Sequence, residues 1–115
     1  MKYRVMKQWV KALRSGEYKQ GQYTLCNNNT FCCLGVLADL AAKENICKTE
    51  KVSYCSVTYD TLSGTLPPSV LEWSGIKNEY GVRKGRKTSL VGLNDKSGYS
   101  FKRIADIIEK EYKDL

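Results

Sequence analysis

The sequence predicts an α+β fold, a single domain of three main helices, one short helix and a small antiparallel sheet. Helical amphipathic periodicity marks both ends of the chain, and an apolar run of helical length lies between them. Short segments rich in strand formers alternate with turns bearing asparagine and glycine.

In chain order, the first helix is expected over residues 2–14. Val5, Trp9 and Leu13 recur at four-residue spacing with Met6 and Val10 beside them, while Lys2, Arg4, Lys7, Lys11 and Arg14 occupy the other side. Ser15 and Gly16 stop it, because glycine takes the left-handed C-terminal position without steric cost. Residues 22–26 alternate and read as a strand. Asn27, Asn28, Asn29 and Thr30 then give turn chemistry, since asparagine tolerates positive φ. Residues 31–43 are apolar almost all round and predict a buried central helix with Thr30 or Asn29 as its N-cap. Gly35 inside it costs about 1 kcal/mol relative to alanine, which points to close approach of another backbone.

Residues 52–59 are β-branched and aromatic and predict a second strand. Pro67 and Pro68 lead into a short helix over residues 68–73 that Gly75 ends. Residues 79–84 and 86–91 flank Gly85 and are expected to form a hairpin or a mobile loop. Ser100 caps a last helix over residues 101–112, with Phe101, Ile104, Ala105, Ile108 and Tyr112 on its apolar face. Leu34, Val36, Leu37, Leu40, Ile104 and Ile108 are the expected core.

Composition bounds the function. The chain has 115 residues, 42% hydrophobic and 27% charged, an ordinary balance for one globular core. No apolar run approaches the roughly 20 residues that span a bilayer, and no signal-peptide pattern opens the sequence, so a cytoplasmic location is expected and no membrane partner. Five cysteines cannot pair fully within one chain, and Cys32 and Cys33 are adjacent, so reduced, mostly buried thiols are expected.

Histidine is absent, which removes the commonest general base, the usual triads and most zinc sites. Cys26, Cys32, Cys33, Cys47 and Cys55 contain no Cys-x-x-Cys pair, and no glycine-rich phosphate loop occurs. Neither a catalytic residue, a metal site nor a cofactor is therefore expected. The formal net charge of +7, from 19 basic and 12 acidic residues, favours anionic partners. Lys77, Arg83, Lys84, Arg86 and Lys87 fall within eleven positions that hold one acid, Glu79, with Tyr80 among them. Arg14, Tyr18, Lys19 and Tyr23 form a second basic and aromatic stretch. Guanidinium groups hold phosphate through two hydrogen bonds and aromatic rings offer a stacking face to a base.

The words Trp9-Val10-Lys11-Ala12-Leu13-Arg14-Ser15-Gly16-Glu17-Tyr18-Lys19-Gln20-Gly21 and Phe31-Cys32-Cys33-Leu34-Gly35-Val36-Leu37-Ala38-Asp39-Leu40 stand out. With Leu66-Pro67, Trp73, Leu93-Asn94-Asp95 and the start of the last helix, they resemble a family of small bacteriophage and prophage proteins. Ala38 stands where that family often has cysteine. The family brings no established chemistry, but small basic phage proteins include inhibitors of host defence, among them oligomeric sponges for nucleotide immune signals.

The resemblance thus implies an anti-defence protein in the host cytoplasm. It would be a homo-oligomer that binds a nucleotide-derived signal without cleaving it. A protein-binding inhibitor of a host complex and a small nucleic-acid-binding accessory protein are the alternatives. The candidate ligand residues are Arg14, Tyr18, Lys19 and Gln20 after the first helix, Arg83, Lys84, Arg86 and Lys87 in the basic segment, and Asn94. Arginine would clamp phosphate, tyrosine would stack on a base, and Gln20 or Asn94 would read polar edges.

Overall fold

Helix α1 (Tyr3–Arg14) forms as its periodicity requires and buries Val5, Met6, Trp9, Val10 and Leu13. It opens a computed structural model that describes all residues, Met1–Leu115. The Trp9 indole N–H donates to the Cys33 carbonyl at 2.9 Å, tying α1 to the start of α2 (Cys33–Lys43). Helix α2 is the centre of the molecule, against α1, α3 (Pro68–Ser74), α4 (Leu90–Asp95) and the sheet. All residues from Cys33 to Ala38 are buried, whereas Leu40 is half-buried. Gly35 has the expected reason: a Cβ there would overlap the Leu25 carbonyl.

Five short strands form one sheet: β1 (Lys19–Gln20), β2 (Cys26–Asn27), β3 (Thr30–Phe31), β4 (Thr49–Lys51) and β5 (Ser56–Tyr59). Their order is β1-β3-β2-β5-β4. The sheet is mixed and not purely antiparallel, because β1 runs parallel to β3 with Lys19 opposite Thr30. The α+β class holds, with five α-helices around this sheet.

Three local expectations change, each for a physical reason. Residues 22–25 do not form a strand: Tyr23 takes φ 71° and its N–H donates to the Asp95 carboxylate, so pairing starts only at Cys26. The strand expected over 52–59 is halved, because Ser53 Oγ accepts from the Ser56 N–H and turns the chain between β4 and β5. Helix α2 starts two residues late, since the sheet claims Thr30 and Phe31. Its N-cap is Cys32, whose sulfur accepts from Gly35 N–H at 3.4 Å. Of the hairpin and the loop expected over 79–91, the structure has a loop of turns without strands, and it runs into α4. The chain does fold back there, with Leu90 N–H on the Gly81 carbonyl, but Ser89 Oγ accepts from Gly92 N–H and starts a helix.

Helix α5 (Phe101–Glu111) begins at the Ser100 cap, with Ser100 Oγ accepting from Arg103 N–H, and buries Phe101, Ile104, Ala105 and Ile108. It lies antiparallel to α1: Arg14 reaches Asp106, while the Met1 amino group donates to the Tyr112 carbonyl. No helix is long and apolar enough to cross a membrane.

Candidate functional site on the outward face of the first helix

Residues of α1, most of them outside the core, contribute to two adjoining grooves. Helical spacing places Lys7, Lys11 and Arg14 along one side, four and three residues apart. With Gln8, Val10, Ser15 and Glu109 of α5 they line a shallow groove of about 600 Å³. The second, of about 330 Å³, is the cleft between α1 and the C-terminal half of α2. Ala12, Leu40 and Tyr18 give it apolar surface, Lys11 and Lys43 bring cations, and Glu17 and Glu44 bring acids. Gln8, Lys11 and Ser15 belong to both grooves.

Arg14 closes one end. Its guanidinium donates to Asp106 at 2.7 Å and to both oxygens of Glu109 at 3.3 and 3.4 Å. These hydrogen bonds, Glu109 foremost, raise its pKa. The partners are exposed, with Asp106 at 71% and Glu109 at 47%, so the ion pairs contribute little and an incoming anion can exchange for them.

Tyr18 closes the other end. Its hydroxyl donates to Asp39 at 2.6 Å and accepts from Lys43 Nζ at 3.0 Å, while Tyr59 O–H donates to the second Asp39 oxygen at 3.3 Å. Burial, then the Asp39 hydrogen bond, pushes the Tyr18 pKa up. The Tyr18 hydrogen bond raises the pKa of Lys43, whose ammonium lies 5.2 Å from the ring centroid. Phe31 meets the same ring edge-on. Tyr18 therefore acts as a fixed wall and does not offer an open stacking face.

The other candidates fall elsewhere. Gln20 and Asn94 do meet, with Gln20 Nε2 donating to Asn94 Oδ1 and to the Tyr99 carbonyl, both at 2.8 Å. Asn94 Oδ1 also accepts from Cys33 N–H at the buried start of α2, and its Nδ2 donates to Gly21 O and Asp95. Every hydrogen-bonding position of that amide is used by the fold. Arg83 is likewise occupied, by two bonds to Glu111 at 2.9 and 2.7 Å and one to Thr88 O. Lys19, Lys84, Arg86 and Lys87 are exposed.

The two basic segments do not meet. Arg14 sits against Asp106 and Glu109, Arg83 against Glu111, and these acids project from different sides of α5. Lys7, Lys11, Gln8 and Lys43 were not among the sequence candidates. The 7, 11, 14 spacing was the signal for the first two; nothing in the sequence marks Lys43 or Asp39.

All five cysteines are free, and all but the half-buried Cys55 are buried. Burial pushes the Cys32 and Cys47 thiols up to about 11, and Cys33 well above its ordinary range. No three His, Cys, Asp or Glu side chains converge as a metal set. Over residues 1–112 the chain matches a family described as a domain of unknown function (DUF8296), and it belongs to that family. No curated protein and no solved structure matches it.

Proposed function

We propose that this chain is a non-catalytic binding protein that holds a small phosphate-bearing, nucleotide-derived ligand along α1. The observation that carries the reading is the convergence of Lys7, Lys11 and Arg14 on a groove continuous with a partly apolar cleft of small-molecule size. Three cations stand beside two acids, Asp106 and Glu109, both engaged by Arg14; an anion displacing those exposed carboxylates meets all three cations, and the planar Arg14 guanidinium suits phosphate in particular. The cleft beside them accommodates a flat, less polar group.

The resemblance to bacteriophage proteins supplies a setting, that of an anti-defence protein sequestering an immune signal in the host cytoplasm. A homo-oligomer would multiply the cations around one ligand. The exposed Lys84, Arg86 and Lys87 favour a second reading, in which this turn docks on an acidic host protein or on nucleic acid.

A calorimetric titration with cyclic dinucleotides and ADP-ribose derivatives tests the proposal. Arg14→Ala should weaken binding about ten- to a hundredfold, the worth of a charge-assisted contact. The double variant Lys84→Ala, Arg86→Ala should leave affinity unchanged. No binding of any nucleotide by the wild type, together with a direct complex with a host defence protein lost in that double variant, would establish the second reading instead.

A further inference from the structure

We propose that the free edge of β4 is the surface on which two copies of this chain associate, by antiparallel pairing about a two-fold axis at Thr49. The inference gives the oligomeric part of the reading above its interface and rests on that part alone, not on the ligand.

Strand β4 ends the sheet, whose order is β1-β3-β2-β5-β4. The strand at the other end, β1, lies against the rest of the fold: Gln20 donates to Asn94 and to the Tyr99 carbonyl, and the Gly21 carbonyl accepts from Asn94. Nothing comparable meets β4, and every residue from Lys48 to Tyr54 is exposed.

In an antiparallel ladder, alternate residues turn their backbone groups toward the neighbouring strand. Lys48 turns both of its groups inward: its N–H donates to the Asp60 carboxylate and its carbonyl accepts from Asp60 N–H, each at 2.8 Å. Two pairs further along, Val52 N–H donates to the Ser56 carbonyl at 3.0 Å. By the same alternation Glu50, opposite Thr58, faces β5, while the N–H and C=O groups of Thr49 and Lys51 point away from the sheet. Such a row of unpaired groups is a template for another strand.

Charge selects which strand and which register. A second copy can place the two-fold axis at Thr49, Glu50 or Lys51. An axis at Glu50 sets that carboxylate against its own counterpart, and an axis at Lys51 does the same with the ammonium. Like charges directly opposite destabilise a pair of strands. An axis at Thr49 lets the two threonines exchange both hydrogen bonds and brings Lys48 opposite Glu50 in both directions. Lys51 then faces Cys47, which carries no charge. A uniformly acidic or basic peptide would suit one of Lys48 and Glu50 and oppose the other. The edge is therefore complementary to itself, and a two-fold contact closes at the dimer. A strand of three residues buries little area, which makes the dimer weak and concentration-dependent.

Sedimentation equilibrium of the full chain, over a range of concentrations at one ionic strength, tests this. The wild type should show a monomer–dimer equilibrium. Lys48→Glu and Glu50→Lys should each weaken it by about tenfold or more, since each turns both opposed pairs into like charges. The two variants shift the net charge in opposite directions, so general repulsion cannot account for both. Both positions are exposed, and neither variant should melt lower than the wild type. An equimolar mixture of the two should dimerise at least as readily as the wild type, because every opposed pair between unlike variants is again of opposite charge. In the wild type, hydrogen exchange of the Thr49 amide should slow as concentration rises.

A dimer that neither variant weakens, a mixture that associates no more than its components, or a Thr49 amide indifferent to concentration overturns this interface while the homo-oligomer stands. A chain monomeric at every concentration overturns both. Neither result bears on nucleotide binding, which the titration above reads separately.

Discussion

Asn94 is 1% exposed, and its single amide joins β1, the Gly21 turn, the α2 N-terminus and α4. A buried helix start leaves backbone N–H groups without intrahelical partners, and Asn94 Oδ1 satisfies that of Cys33. Replacing it with alanine would strand that N–H and the Gly21 carbonyl and leave the Gln20 amide with the Tyr99 carbonyl alone. Asn94→Ala should therefore lose about 2–4 kcal/mol of stability in urea denaturation, from several buried groups each costing about 1–3 kcal/mol. A loss no larger than that of an exposed substitution would contradict this role. The sequence marks Asn94 as polar within a family word, but it does not show that every position of the amide is taken.

Helix α5 carries acids on two sides and uses them differently. Asp106 and Glu109 meet Arg14 at the surface, whereas Glu111 meets Arg83 where the two side chains are 20% and 10% exposed. The Arg83 hydrogen bonds, above all, hold the Glu111 carboxyl below its ordinary range. A carboxylate whose pKa is depressed in the folded state stabilises the protein above its unfolded value, about 4.3, and loses that contribution as pH falls through the folded value. Glu111→Gln should thus cost about 1.5–3 kcal/mol near pH 7, the worth of a hydrogen bond to a charged group. The difference from wild type should shrink steadily below about pH 5, as read by denaturation midpoints across pH. A pH-independent difference would mean that the pair acts through packing alone.

At the scale of the whole molecule, burial governs the thiols and charge governs association. Native protein at pH 8 should react slowly and incompletely with a thiol reagent, Cys55 first, because the thiolate is the reacting form and burial holds Cys32, Cys33 and Cys47 protonated. Denatured without reductant, the chain should give five free thiols; a smaller count would reveal a disulfide. Light scattering with increasing salt reads the association state expected of the binding reading. A net charge of +7 opposes self-association at low salt. A dimer or tetramer should therefore be favoured by salt or by an anionic ligand, and a monomer under every condition would remove the oligomeric part of the proposal.

Local periodicity determined α1, α2 and α5, because an amphipathic or wholly apolar helix is specified by residues three and four positions apart. It also led to the correct reason for Gly35, since a costly glycine in a buried helix needs a close neighbour. What local signals could not decide were the strands, which here are two to four residues long. At that length pairing partners, and not propensity, fix where a strand begins. Tyr23 lost its strand to Asp95, Phe31 left the helix for the sheet, and Thr30 pairs in the sheet where an N-cap was expected.

The site divides in the same way. The sequence located Arg14 and Tyr18 beside each other, and they do flank adjoining grooves. Tertiary structure alone decided that Arg83 and Asn94 are consumed by the fold and that Lys43 comes to Tyr18. Those outcomes depend on which distant side chains arrive within hydrogen-bonding distance, and only the packed helices determine that.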